Sequence, residues 1–111
     1  GILPVWICPF RAPDPAAAWT LFPTRPDALY VNFGFWDVVR AAKAHPAGHF
    51  NRLIERKVSE LGGIKSLYSE SYFPRDEFAA IYGGAAYAAL KARYDPAGLL
   101  PGLYEKCVLR R

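Results

Sequence analysis

The run Gly62-Gly63-Ile64-Lys65-Ser66-Leu67-Tyr68-Ser69-Glu70-Ser71-Tyr72-Phe73-Pro74-Arg75-Asp76-Glu77-Phe78 carries most of the information in this chain. Two glycines stop a helix, a strand-like segment over residues 64–72 follows, and a proline opens the next helix. Side chains of a strand alternate between its faces, so Tyr68, Glu70 and Tyr72 are expected on one face of a sheet. A carboxylate set between two phenols is costly for structure alone. The cost is offset where a hydrogen-bond network or a ligand uses the group.

Upstream of that run, residues 50–61 read as the clearest helix. Phe50, Leu53, Ile54, Val58 and Leu61 recur at helical spacing, with Lys57 laying its stem along the same stripe. Gly62 and Gly63 supply its C-terminal cap. Residues 3–10 and 29–35 read as two further strands, the first demoted toward an edge by Pro4 and Pro9. Residues 11–25 read as a loop with one helical turn near 16–21. A short helical piece from Val38 to Ala44 is expected to end before Pro46. Downstream, Pro74 sits at a helix start, and Asp76 and Glu77 complement the positive end of that helix. Phe78, Ile81 and Tyr82 form its inner face, and Gly83-Gly84 interrupts it. A helix with Tyr87, Leu90 and Tyr94 on one face follows, then a turn at Asp95-Pro96-Ala97-Gly98, then a last helix over 100–110. The expected class is α+β: a small antiparallel sheet of about three strands packed on helices, with a helical C-terminal tail. The boundary falls between residues 1–72, sheet and helix, and residues 73–111, the tail.

At 111 residues the chain is one domain at most, and 52% hydrophobic, 15% aromatic and 22% charged residues are a globular composition. No apolar run approaches the roughly 20 residues that cross a bilayer, and no signal-peptide pattern is present. The net charge of +4 is scattered over helix faces, which argues against a nucleic-acid stripe. The chain has no methionine and starts almost directly on strand-like residues, so it reads as a fragment of a longer protein. Cys8 and Cys107 read as reduced, buried small hydrophobes; no C-x-x-C suggests zinc or redox chemistry.

Other motifs carry less. Asn32-Phe33-Gly34-Phe35 partly matches an RNA-binding aromatic pattern, but a glycine for close backbone approach explains it better. His45 and His49 have helical metal spacing, yet Pro46 and Gly48 between them indicate a loop, so no metal site is expected. The double glycines do not follow a strand and open a helix as phosphate loops do. Ser66, Ser69 and Ser71 lack a nucleophile elbow.

Leu3-Pro4-Val5-Trp6-Ile7-Cys8-Pro9-Phe10, Leu29-Tyr30-Val31-Asn32-Phe33-Gly34, Leu67-Tyr68-Ser69-Glu70-Ser71-Tyr72 with Arg75-Asp76-Glu77-Phe78, and Leu100-Pro101-Gly102-Leu103-Tyr104-Glu105-Lys106-Cys107 occur in an order that resembles the C-terminal part of the delta(24)-sterol reductase and diminuto-type family. Tyr94-Asp95-Pro96 is similar to a turn near the end of vanillyl-alcohol-oxidase-type flavoproteins. The resemblance implies the later part of a cap domain that covers FAD, the flavin being bound mainly by an N-terminal domain of the same protein. It implies hydride transfer on a small apolar, lipid-like or sterol-like substrate. A reductase would draw on NADPH and reduce a C=C bond; an oxidase would oxidise an alcohol. The fragment alone would be inactive. Tyr68, Glu70 and Tyr72 are the expected catalytic residues, Glu70 or a neighbouring phenol orienting substrate or relaying a proton; which residues touch the cofactor is left open. The expected location is cytoplasmic, with membrane association left open for the full-length protein. Two alternatives stand beside this: a non-enzymatic α+β binding module, for example for RNA, and self-association into a homodimer through unpaired sheet edges.

Overall fold

The aromatic and β-branched residues of Val5–Phe10 (β1) and Tyr30–Phe35 (β2) pair antiparallel in register, Val5 opposite Phe35 and Phe10 opposite Tyr30. The computed structural model describes residues 3–14, 16–17 and 19–111. Cross-strand pairs hold this ladder: Phe10 stacks on Tyr30 with ring centroids 5.4 Å apart. The Trp6 ring lies over its register partner Gly34, where any Cβ would stand 1.9 Å from the indole. Close approach is thus the reason for glycine in Asn32-Phe33-Gly34-Phe35. The helix read over 38–44 does not form. The helical turn read near 16–21 falls partly on residues outside the described ones. Cys8 is exposed on β1 and Cys107 is half-buried, so neither is buried as expected, although both are free thiols.

The chain divides into two units, Gly1–Trp19 with Pro23–His45, and Thr20–Phe22 with Pro46–Arg111. The second contains the helices His49–Glu60 (α1), Arg75–Ile81 (α2) and Gly84–Tyr94 (α3), and a short π-helical turn, Glu105–Leu109. The end of α1 follows from Gly62-Gly63. The Gly62 N–H donates to Ser59 O and the Gly63 N–H to Val58 O, with Gly62 at φ 68°, the paired arrangement that closes a helix on a left-handed glycine. Asp76 and Glu77 occupy the first turn of α2, as its N-terminal dipole favours. The core of this unit is Phe73, Phe78 and Tyr82, with Ile64, Leu67, Leu103, Tyr104 and Cys107 packed around it.

The α+β class holds, with two strands in the sheet. Residues 64–72 are not the third strand that their alternation suggests: the chain turns at 67–68 and runs irregularly on either side. Side chains have taken the backbone groups that a ladder would need. Tyr82 OH donates to Lys65 O at 2.6 Å, Lys65 Nζ donates to Glu70 O, and the Tyr72 N–H donates to both oxygens of Glu55, at 3.0 and 3.2 Å. The inner face of α1 is rotated from the expected stripe. Glu55 is buried while Leu53 and Leu61 are exposed. On α3, Tyr87 and Lys91 are half-buried, whereas Leu90 and Tyr94 face solvent.

Candidate functional site

Residues 70–72 belong to no strand, yet Glu70 and Tyr72, two apart, fall on one side of the chain. Their side chains meet: Tyr72 OH donates to Glu70 Oε2 at 2.7 Å. Arg110 joins them from the chain's end, its Nη2 donating to Tyr72 OH at 2.9 Å and its Nη1 lying 2.9 Å from Glu70 Oε1. Arg110 reaches there because it caps the π-helical turn in the left-handed conformation, φ 57°. The hydrogen bond to Tyr72, followed by the charge of Glu70, raises the Arg110 guanidinium above its ordinary value, so it stays cationic. Both charged side chains are about half exposed (49% for Arg110, 53% for Glu70), so the set is open to a ligand.

The Tyr72 ring has a firm seat. Arg52 lies over it, 4.8 Å from the centroid, and its Nη1 donates to Tyr72 O at 3.1 Å. Gly48, at φ 72°, lies so close under the ring that a Cβ would stand 2.3 Å from it. Tyr68 does not join this arrangement; it is 78% exposed in the turn. Of the three expected residues, two are therefore brought together and the third is not. Arg110 carries no motif, and only its helix-capping geometry reveals it.

Beneath the site lies a polar group that alternation could not show. Glu55 is 3% exposed, and its Oε1 accepts from Lys65 Nζ at 2.9 Å. Lys65 Nζ also reaches Ser71 Oγ at 3.2 Å. Burial, and then the Glu55 charge, push the Tyr82 phenol well above its ordinary range, so it is a fixed donor to Lys65 O.

A second cleft, about 120 Å³ in volume, is lined by Arg75, Phe78, Tyr82, Tyr87, Leu103 and Tyr104. At its rim Arg75 pairs with Glu105 at 2.7 Å and holds that carboxyl below its ordinary value. Drug-sized ligands occupy roughly 300 Å³ or more, and this cleft by itself is smaller. Among the described residues no cluster of His, Cys, Asp and Glu could hold a metal ion, and no helix is long and apolar enough to cross a membrane.

Comparison with known proteins points one way. Delta(24)-sterol reductase of Rattus norvegicus is 29% identical over 106 residues, covering 95% of this chain and 20% of the relative. The Homo sapiens protein of that name is 28% identical over the same length and coverage. The chain thus spans about a fifth of the length of the curated relatives it matches. No family model matches the chain, and no solved structure matches it significantly. Over nearly its whole length the chain is sterol-reductase-like in sequence.

Proposed function

We propose that this chain is the C-terminal, substrate-binding cap portion of an FAD-dependent oxidoreductase that acts by hydride transfer on a lipid-like or sterol-like substrate. The observation that carries this reading is the connected set Glu70, Tyr72 and Arg110, a carboxylate, a phenol and a cation in hydrogen-bond contact and half open to solvent. Such a set can orient a substrate hydroxyl and hold or move a proton at the Tyr72 oxygen, with Glu70 accepting and Arg110 offsetting the charge that develops. Similarity to proteins named delta(24)-sterol reductase supports both the reaction class and the substrate class.

FAD, when bound, would supply the hydride acceptor or donor, and the protein supplies position and electrostatics. The residues described here form no cradle for it. In this reading an N-terminal domain of the whole protein holds the flavin, and NADPH would be the donor for a reduction. In the full-length protein Glu70→Gln is expected to lower turnover by more than about tenfold with the melting temperature unchanged. Unchanged turnover makes Glu70 an ordinary surface carboxylate. The purified 111 residues should carry no FAD; a yellow preparation sinks the assignment.

One observation favours a second reading. Phe33 and Phe35, two apart on β2, are both exposed, and such rings can stack on single-stranded RNA. A salt-dependent gel shift would support a binding module. No shift at low salt removes it.

A further inference from the structure

Three consecutive residues, Glu70, Ser71 and Tyr72, are held by one buried ion pair. Lys65 Nζ donates to Glu70 O and to Ser71 Oγ, while the partner carboxylate of Glu55 takes the Tyr72 N–H on both oxygens. The pair is removed from water, the side chains of Lys65 and Glu55 being 12% and 4% exposed. Ser71, between the two site residues, is buried as well. Glu70 and Tyr72 turn their side chains outward to meet each other and Arg110, so the inward-facing contacts fix a backbone whose outward face is the site.

The geometry points to Glu55 and Lys65 as the positioning residues of the Glu70–Tyr72 site. Neither touches the carboxylate–phenol contact. The pair acts by holding the backbone carbonyl of Glu70 and the amide of Tyr72 at a fixed separation, so the 2.7 Å contact is assembled before any ligand arrives. An ion pair is a costly way to stabilise a core, because well-packed apolar residues do as well or better. It is well suited to directing several backbone groups at once, because an ammonium has three donors and a carboxylate has two oxygens. The irregular path of residues 64–72 agrees with this: the pair occupies the Glu70 carbonyl and the Tyr72 amide, and Tyr82 OH occupies the Lys65 carbonyl, the groups that a ladder would need. This inference rests on the reading of Glu70 and Tyr72 as the site.

The test uses the full-length protein with Lys65→Met, Glu70→Gln and the double variant. Amide hydrogen exchange is followed separately in peptides covering 66–74 and 75–94. The expected result for Lys65→Met is exchange at least about tenfold faster in 66–74 with 75–94 unchanged, and turnover lowered about as much as in Glu70→Gln. The double variant should be no worse than the poorer single one, because both act through one group. Faster exchange in both peptides makes the pair a general stabiliser and overturns the inference, as do losses that multiply in the double variant. Where Lys65→Met does not fold, Glu55→Gln/Lys65→Met removes both charges together and takes its place. If Glu70→Gln alone leaves turnover untouched, the site reading fails, and the exchange contrast decides by itself whether the pair positions this backbone.

Discussion

Phe33 on β2 is 62% exposed, whereas Phe78 on α2 is 4% exposed and packs against Tyr82 and Tyr104 with ring centroids 4.6 and 5.3 Å away. The two phenylalanines stand for the two units. In the β1–β2 unit, backbone pairing and cross-strand rings such as Phe10 on Tyr30 organise the chain, and none of its described residues is fully buried. In the helical unit a small aromatic core and a buried ion pair do so. Aromatic content is therefore a poor guide to where a core lies. Rings on the ribbon are arranged by the ladder and by cross-strand neighbours, and a two-stranded hairpin by itself is marginal in water. A ring on an amphipathic helix meets other rings.

The largest effect should come from truncating the same residue type in each unit. Phe78→Ala is expected to cost about 3–5 kcal/mol through the lost transfer free energy and the cavity left between Tyr82 and Tyr104. Phe33→Ala should change stability by less than about 0.5 kcal/mol. All three tryptophans, Trp6, Trp19 and Trp36, belong to the first unit, so their fluorescence reads that unit while helical circular dichroism reads the other. Equal losses in the two variants would break the contrast. A smaller effect sharpens it: Tyr82→Phe keeps the packing but leaves Lys65 O without its donor, and should lower the helical melting transition by about 1–2 kcal/mol. No change would mean that water replaces the phenol at that carbonyl.

Most elements could be read from local chemistry. Both strands, the helix closed by Gly62-Gly63, the helix following Pro74, the break at Gly83-Gly84 and the turn at Asp95 lie within about two residues of their expected places. Each depends on a cap, a proline or a periodicity confined to its own neighbourhood. Residues 64–72 were not legible because two of their backbone partners lie elsewhere, on α1 and just past α2: Glu55, which takes the Tyr72 N–H, is ten residues before Lys65, and Tyr82, which donates to Lys65 O, is seventeen after it. A buried glutamate beside the apolar stripe of a helix looks like a solvated one until its lysine is located. Two of the three expected residues meet for a local reason, since Glu70 and Tyr72 are only two apart in the chain. Tyr68 fell on the other side of a turn, and Arg110 is thirty-eight residues from Tyr72.

The smallest expected effect concerns the turn after α3, where acid should separate the units. The hydrogen bond from Lys91, with those from the Leu100 and Leu99 amides, lowers the Asp95 carboxyl from its ordinary 3.8 to about 2. A carboxyl whose folded value lies below its unfolded one adds stability that is fully present above the unfolded value and is lost as pH falls through the folded one. The helical unit should therefore lose stability between about pH 4 and pH 2, and Asp95→Asn should flatten part of that decline. Glu105, held down by Arg75, contributes in the same direction, so Asp95→Asn removes only its own share of the slope. The side chains of Lys91 and Asp95 are 26% and 9% exposed, so water screens this pair only in part. Tryptophan fluorescence from the β1–β2 unit should not follow the Asp95-dependent step, since the residues that bind this carboxylate all belong to the helical unit. An acid transition seen equally by fluorescence and by helical circular dichroism, and abolished in both by Asp95→Asn, would show that the two units unfold as one.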